Sequence, residues 1–140
     1  WAARILSISS NRNNPRLALK FTESLIDEFY GFKEGTVLFK PTKAKEIQFR
    51  FKRDEAISYF IGNIKKKCSE DDGFALHPWK KIRFENAEYF IESDIALTMG
   101  NYYFTDSNNI ELKIEFTIGY KNINGKLKIF LHHSSLPYTI

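Results

Sequence analysis

Near its end the sequence runs Leu131-His132-His133-Ser134-Ser135-Leu136-Pro137-Tyr138, with two imidazoles and two hydroxyls in consecutive positions. An imidazole can exchange a proton near neutrality or bind a metal, and a hydroxyl can attack or donate a hydrogen bond. The stretch continues an extended segment, and successive side chains of a strand point to opposite faces. Adjacent histidines therefore cannot close on one metal ion. Nor can Ser134 or Ser135 join His133 in a Ser-His-Asp triad. Parity puts Leu127, Ile129, Leu131 and His133 on one apolar face, and Lys128, Phe130 and His132 on the other. On that count His133 faces a cavity, as hydrogen-bond donor or general base, or sits in the core bonded to a carbonyl. His132 then lies outside.

Other side chains could share such a cavity. Arg50 follows Gln48-Phe49 just before a helical segment; its guanidinium suits bidentate binding of an anion, or a structural pair with Glu46 or Glu55. Tyr30, Trp79, Tyr103 and Tyr120 are candidates for an aromatic lining, although each also fits plain core. Asp27, Glu28 and Glu115 are the acids that could assist His133, and none has a pattern that assigns it a role. Cys68 is the single cysteine, which excludes an intrachain disulfide and a thiolate zinc cluster within one subunit. No metal and no cofactor is expected.

Positioning these groups needs a folded core. The 140 residues are 43% hydrophobic and 16% aromatic, a profile that separates the chain from disordered sequences and allows one domain spanning 1–140. The net charge of +4 is spread among acids, and Lys65-Lys66-Lys67 is followed by Glu70-Asp71-Asp72; nucleic acid is not expected as a partner. No apolar run reaches the roughly 20 residues of a membrane span, so no membrane partner is expected. A start at Trp1 rather than Met fits removal of a leader and an exported or periplasmic protein, with the cytoplasm as the alternative.

Helices come first. Ala2 to Ser10 carries a short helical pattern. Asn14-Pro15 is a helix-start signal, and Leu17, Phe21, Leu25 and Phe29 recur every fourth residue up to Gly31. Thr36 to Lys40 and Glu46 to Phe51 read as short extended pieces, and Arg53 to Ile64 as another helix. From Trp79 the period becomes two. Segments 79–91, 95–104, 110–120 and 126–134 form four antiparallel strands, the last pair joined by Asn124-Gly125. Ile110, Leu112, Ile114, Phe116, Ile118 and Tyr120 share one face. The outcome is an α+β fold with helices over a strongly curved antiparallel sheet. Phe130, Tyr102 and Phe104 are placed on the outer face.

This order resembles the nuclear transport factor 2-like (SnoaL-like) superfamily, a cone-shaped fold. Asn124-Gly125-Lys126 and the stretch from Leu131 to Pro137 resemble the close of the calcium/calmodulin-dependent protein kinase II association domain. There, Asp-Gly-Lys and a strand precede Phe-His-Arg-Ser-Gly-Ala-Pro. Gly73-Phe74, Pro78-Trp79 and Arg83 to Ala87, together with the terminal LHHSSLPY, resemble an uncharacterised bacterial group with the motif GFxxxPWxxxRFENA. Phe39 to Ala44 and Gln48 to Arg50 look like further parts of that group. The resemblance implies an enclosed cavity for a small organic ligand, with His133 where the kinase domain has an arginine. It also implies a homodimer or higher oligomer through the outer sheet face. The expected function is a small-molecule-binding domain. The alternatives are an isomerase, cyclase or hydrolase using His133 with an acid, and an oligomerisation hub without a ligand.

Overall fold

The computed structural model describes residues 1–140. Three helices, α1 (Ala2–Ser10), α2 (Pro15–Phe29) and α3 (Arg53–Ile61), pack on one curved sheet. Its strands are β1 (Leu38–Lys40), β2 (Trp79–Glu92), β3 (Ile95–Asp106), β4 (Glu111–Ile123) and β5 (Lys126–Ser135), in the spatial order β1-β5-β4-β3-β2. The four long strands form the expected antiparallel meander. Three-residue β1 adds a parallel edge to β5, pairing Phe39 with His132. The second extended piece, Glu46 to Phe51, is a loop that makes no strand.

Local signals act as their chemistry dictates. The Asn14 side chain accepts from the Leu17 amide and caps α2, with Pro15 in its first turn. At the other end of α2, buried Lys128 donates to the Asp27 and Glu28 carbonyls (2.7 and 2.9 Å), meeting two of the oxygens a helix end leaves free. Asn124 and Gly125 take φ of 52° and 81°, the left-handed pair of a tight hairpin turn. Ile114, Phe116 and Ile118 of β4 are buried against Ile5, Ile8, Leu25, Ile26, Ile57 and Phe60 of the helices. Leu112 is partly buried beside them.

Two strands depart from simple parity. On β5, Leu131 pairs with Gly119 and Ile129 pairs with Tyr120, which leaves Phe130 as an extra residue in a bulge. Gly119 makes the bulge possible. A Cβ there would sit 3.0 Å from Leu131 and from Leu97, and 3.1 Å from the Phe130 ring. The Ile129 carbonyl accepts from the Gly31 amide, so the segment leaving α2 is stitched to the bulge. Beyond the bulge the faces swap: His132 and Ser134 are buried and His133 is exposed. The expected orientation of the histidines is thus reversed. On β3, Tyr102 and Phe104 lie opposite Ile114 and Leu112 and point inward, and Tyr103 points outward. The outer-face placement of Tyr102 and Phe104 is corrected in the same way.

Candidate active site

A pocket lies between the sheet and the helices where β5, β3, α3 and the loop after β1 converge. Its walls are aromatic: Trp1, Phe39, Phe60 and Phe74. Its polar groups are Thr42, Tyr59, Tyr102, His132 and Ser134. The cavity among these side chains is about 10 Å³, far below the roughly 300–1,000 Å³ of sites for drug-sized ligands. That is room for about one water-sized group, so any guest must be very small.

Each side chain has a structural reason to be there. The Phe130 bulge turns His132 and Ser134 inward on alternate positions. Tyr30 follows the last turn of α2 in an extended conformation, bridges to Ile129, and brings its hydroxyl to His132 Nδ1 at 2.8 Å. Trp1 stacks on Tyr102 with ring centroids 5.7 Å apart, and its indole N–H donates to the Tyr30 hydroxyl at 3.0 Å. On the far side, His132 Nε2 lies 3.0 Å from Ser134 Oγ and 3.3 Å from the Tyr102 hydroxyl. Tyr102 and Ser134 hydrogen-bond each other. Phe39 stacks on the imidazole at 5.3 Å.

Thr42 sits on a loop with few apolar anchors, held instead by charge. Arg50 is fully buried and pairs bidentately with Asp71 (2.8 Å for both bonds) while donating to the Ile47 and Glu55 carbonyls. Ser58 donates to the same carboxylate and accepts from the Lys67 and Cys68 amides. Glu70 accepts from the amides of Lys45, Glu46 and Ile47. Burial opposes the Glu70 charge, yet these amides and the Arg50 guanidinium outweigh it and hold the carboxyl below the usual range. Thr42 lines the pocket beside the Tyr59 and Tyr102 phenols.

The pocket is polar but uncharged. Burial, with a smaller push from His133, lowers the His132 imidazole to about 3, so it is neutral at physiological pH. Burial raises Tyr102 to about 12 against the hydrogen bonds from Ser134 and Thr42, and raises Tyr59 further. No carboxylate lines the space, and no three His, Cys, Asp or Glu side chains converge anywhere in the chain.

Of the six side chains expected at a ligand site, Tyr30 alone touches this hydrogen-bonded cluster. Arg50 is a structural ion pair, with Asp71 rather than Glu46 or Glu55 as its carboxylate. Trp79 spends its N–H on the Phe74 carbonyl and lines an adjoining open cleft with Lys43, Asp72 and His77, which shares Tyr59 and Phe74 with the pocket. Tyr103 lies outside, with the Arg83 guanidinium 4.0 Å from its ring. Tyr120 is half-buried away from the pocket, and His133 lines a shallow outer groove beside Glu115 and Thr117. Asp27 is engaged by Arg53 and Lys33, and Glu28 by Arg4. Sequence reasoning missed His132, Ser134, Tyr102, Tyr59, Thr42 and Trp1. Thr42 stood inside the Phe39 to Ala44 stretch already singled out, and His132 and Ser134 inside LHHSSLPY.

Comparison with known proteins identifies the setting. Residues 1–136 match the family described as metal-independent carbonic anhydrase. A metal-independent carbonic anhydrase of Nostoc sp. (strain PCC 7120) is 40% identical over 142 residues, covering 99% of this chain and 69% of that protein. A crystal structure of a cyanobacterial iota-carbonic anhydrase complexed with bicarbonate superposes with a TM-score of 0.94 at 38% identity, covering 100% of this chain and 87% of that one. A Xanthomonas campestris protein described as a calcium/calmodulin dependent protein kinase II association domain matches at 0.56 with 22% identity, over 99% and 83% of the two chains. An NTF-2 like protein from Shewanella oneidensis MR-1 matches at 0.55 with 16%, over 95% and 93%. The last two show the cone-shaped nuclear transport factor 2-like fold alone. A family of enzymes overturns the expected small-molecule-binding domain, and with it both the ligand-free hub and the isomerase, cyclase or hydrolase built on His133. On the strength of the family match and the Nostoc relative, the chain belongs to the metal-independent carbonic anhydrase family.

Proposed function

We propose that this protein catalyses the reversible hydration of carbon dioxide to bicarbonate, CO2 + H2O ⇌ HCO3⁻ + H⁺, in the pocket around His132. The observation that carries the reading is the largely buried, uncharged cluster of Ser134, Tyr102, Thr42, Tyr59 and His132 among aromatic walls. Carbon dioxide is small, linear and without net dipole, and suits the faces of Trp1, Phe39 and Phe60. Attack by water forms a C–O bond and moves one C=O electron pair onto oxygen. Negative charge grows on an oxygen that prealigned hydroxyl groups can meet, in a site with little water to reorganise. The proton released goes to solvent. His132, neutral through burial, contributes a hydrogen bond and no charge.

The bicarbonate held by the cyanobacterial relative supports the same guest here. Assembly as a homodimer through the outer face belongs to the same proposal. Phe90 on edge strand β2 and Met99 on β3 are exposed on that outer face, with Leu97 beside them, and Tyr89 and Ile91 are exposed on the opposite side of the same edge.

Stopped-flow hydration of carbon dioxide, followed with a pH indicator on chelator-treated protein, tests the activity. Catalysis should survive chelation. Ser134→Ala and Tyr102→Phe should each lower kcat/KM by about 10²-fold, the usual effect of removing one oxyanion donor. A rate equal to the uncatalysed one, or activity that vanishes with chelation, would sink the proposal.

A further inference from the structure

The hydrogen bonds around His132 run in one direction, and the direction starts at Trp1. An indole N–H only donates, and that of Trp1 points at the Tyr30 hydroxyl. The other partner of this hydroxyl is His132 Nδ1. The Tyr30 proton therefore has one acceptor within reach, the lone pair on Nδ1. Burial holds the phenol well above its usual range, so that proton stays in place. A neutral imidazole carries a single N–H. With Nδ1 accepting, it resides on Nε2, the nitrogen that faces Ser134 and Tyr102.

We infer that Tyr30 is a positioning residue: anchored by Trp1, it fixes His132 as the Nε2–H tautomer and thereby leaves a hydroxyl hydrogen of the pocket free for an oxygen of the substrate. This builds on the carbonic anhydrase reading of the pocket.

Hydrogen accounting shows why the tautomer matters. Ser134, Tyr102, Thr42 and Tyr59 bring one hydroxyl hydrogen each. The contacts among them are at most Ser134–Tyr102, Thr42–Tyr102 and Thr42–Tyr59, so one hydrogen at least finds no acceptor among these hydroxyls. With Nε2 protonated, that hydrogen is available to the guest, as an anion such as bicarbonate requires. The opposite tautomer turns Nε2 into an acceptor that absorbs the spare hydrogen. It would also strand the Tyr30 proton, since both neighbours of that hydroxyl would then be donors, a state that buried polar groups rarely adopt. A consequence for the reaction follows. His132 cannot be the base that takes the proton from water, because one of its nitrogens is engaged by Tyr30 and the other already carries hydrogen.

The test is a long-range ¹H–¹⁵N spectrum of the histidine side chains at pH 7. In the wild-type protein the His132 Nδ1 resonance should be pyridine-like and Nε2 pyrrole-like. In Tyr30→Phe, which deletes only the hydroxyl, the two should move toward the averaged values of a tautomer mixture. There kcat should fall about tenfold while KM changes little, the pattern of an interaction lost in the transition state. A pyrrole-like Nδ1 in the wild type overturns the inference, and that spectrum decides even if the variant misfolds. A Tyr30→Phe spectrum unchanged from the wild type overturns it too. The spectrum requires no turnover. A protein with the inferred tautomer but no hydration activity would therefore refute the carbonic anhydrase reading and leave the assignment of Tyr30 standing.

Discussion

Acid should destabilise this protein through His132, by an amount that the structure fixes. In the folded chain burial lowers this imidazole from 6.5 to about 3, whereas in the unfolded chain it returns to its ordinary value. Between those values the unfolded state binds a proton that the folded state refuses. Stability from this group is therefore fully present above pH 6.5 and is lost progressively as pH falls toward 3. At about 1.4 kcal/mol per unit, moving from pH 6.5 to pH 4 removes roughly 3 kcal/mol. That is a large part of a typical margin of about 5–15 kcal/mol. Urea unfolding at several pH values, run in parallel on the wild type and His132→Asn, isolates the contribution, since the carboxylates common to both cancel in the difference. The asparagine variant should be the less stable at pH 7, having lost hydrogen bonds in the pocket, and the gap should narrow by about 3 kcal/mol at pH 4. Two curves that stay parallel across this range would refute the buried, neutral histidine on which the chemistry of the pocket rests.

Other perturbations have equally definite outcomes. Arg50→Met leaves the Asp71 carboxylate buried without its partner, and urea melts should show a loss of roughly 3–5 kcal/mol. His133→Ala touches an exposed side chain on the outer face; stability should change by less than about 0.5 kcal/mol, and stopped-flow hydration should match the wild type. Sedimentation of the wild type should give a species heavier than the 16.4 kDa chain, and Phe90→Glu on the exposed edge of β2 should shift it toward the monomer.

The fold was legible because most of its signals are local. Asn14-Pro15 starts a helix through a cap made three residues away, Asn124-Gly125 closes a hairpin through its own dihedral angles, and β4 alternates over its whole buried length. Where the determining partner is distant, the sequence is silent. Strand β1 is three residues long and becomes a strand only by pairing with residues some 90 positions later. The Arg50–Asp71 pair was invisible for the same reason. Arg50 had nearby acids in Glu46 and Glu55, and nothing local shows that the loop folds back on Asp71.

The site was misread through parity, and the two errors differ in kind. On β3 the mistake was avoidable. Ala96, Thr98 and Gly100 against Leu97 and Met99 give a weak alternation of their own, but β4 had already declared its inward face. In an antiparallel pair, residues directly opposite share a face, and Tyr102 lies opposite Ile114. Carrying the assignment of β4 across the turn would have turned Tyr102 inward and Tyr103 outward. On β5 the alternation was good, and following it was the cause of the failure. Leu127, Ile129 and Leu131 read as one unbroken apolar face, and one extra residue at Phe130 inverts everything after it. The condition for that bulge lies on the neighbouring strand, in the absence of a side chain at Gly119. The polar end of β5 gave no warning of it. His132 with Ser134 and His133 with Ser135 are both alternate pairs, and either could enter the core with each imidazole beside a hydroxyl. Buried polar groups need partners, and what separates the two pairs is distant in sequence: the Tyr30 and Tyr102 hydroxyls stand beside His132.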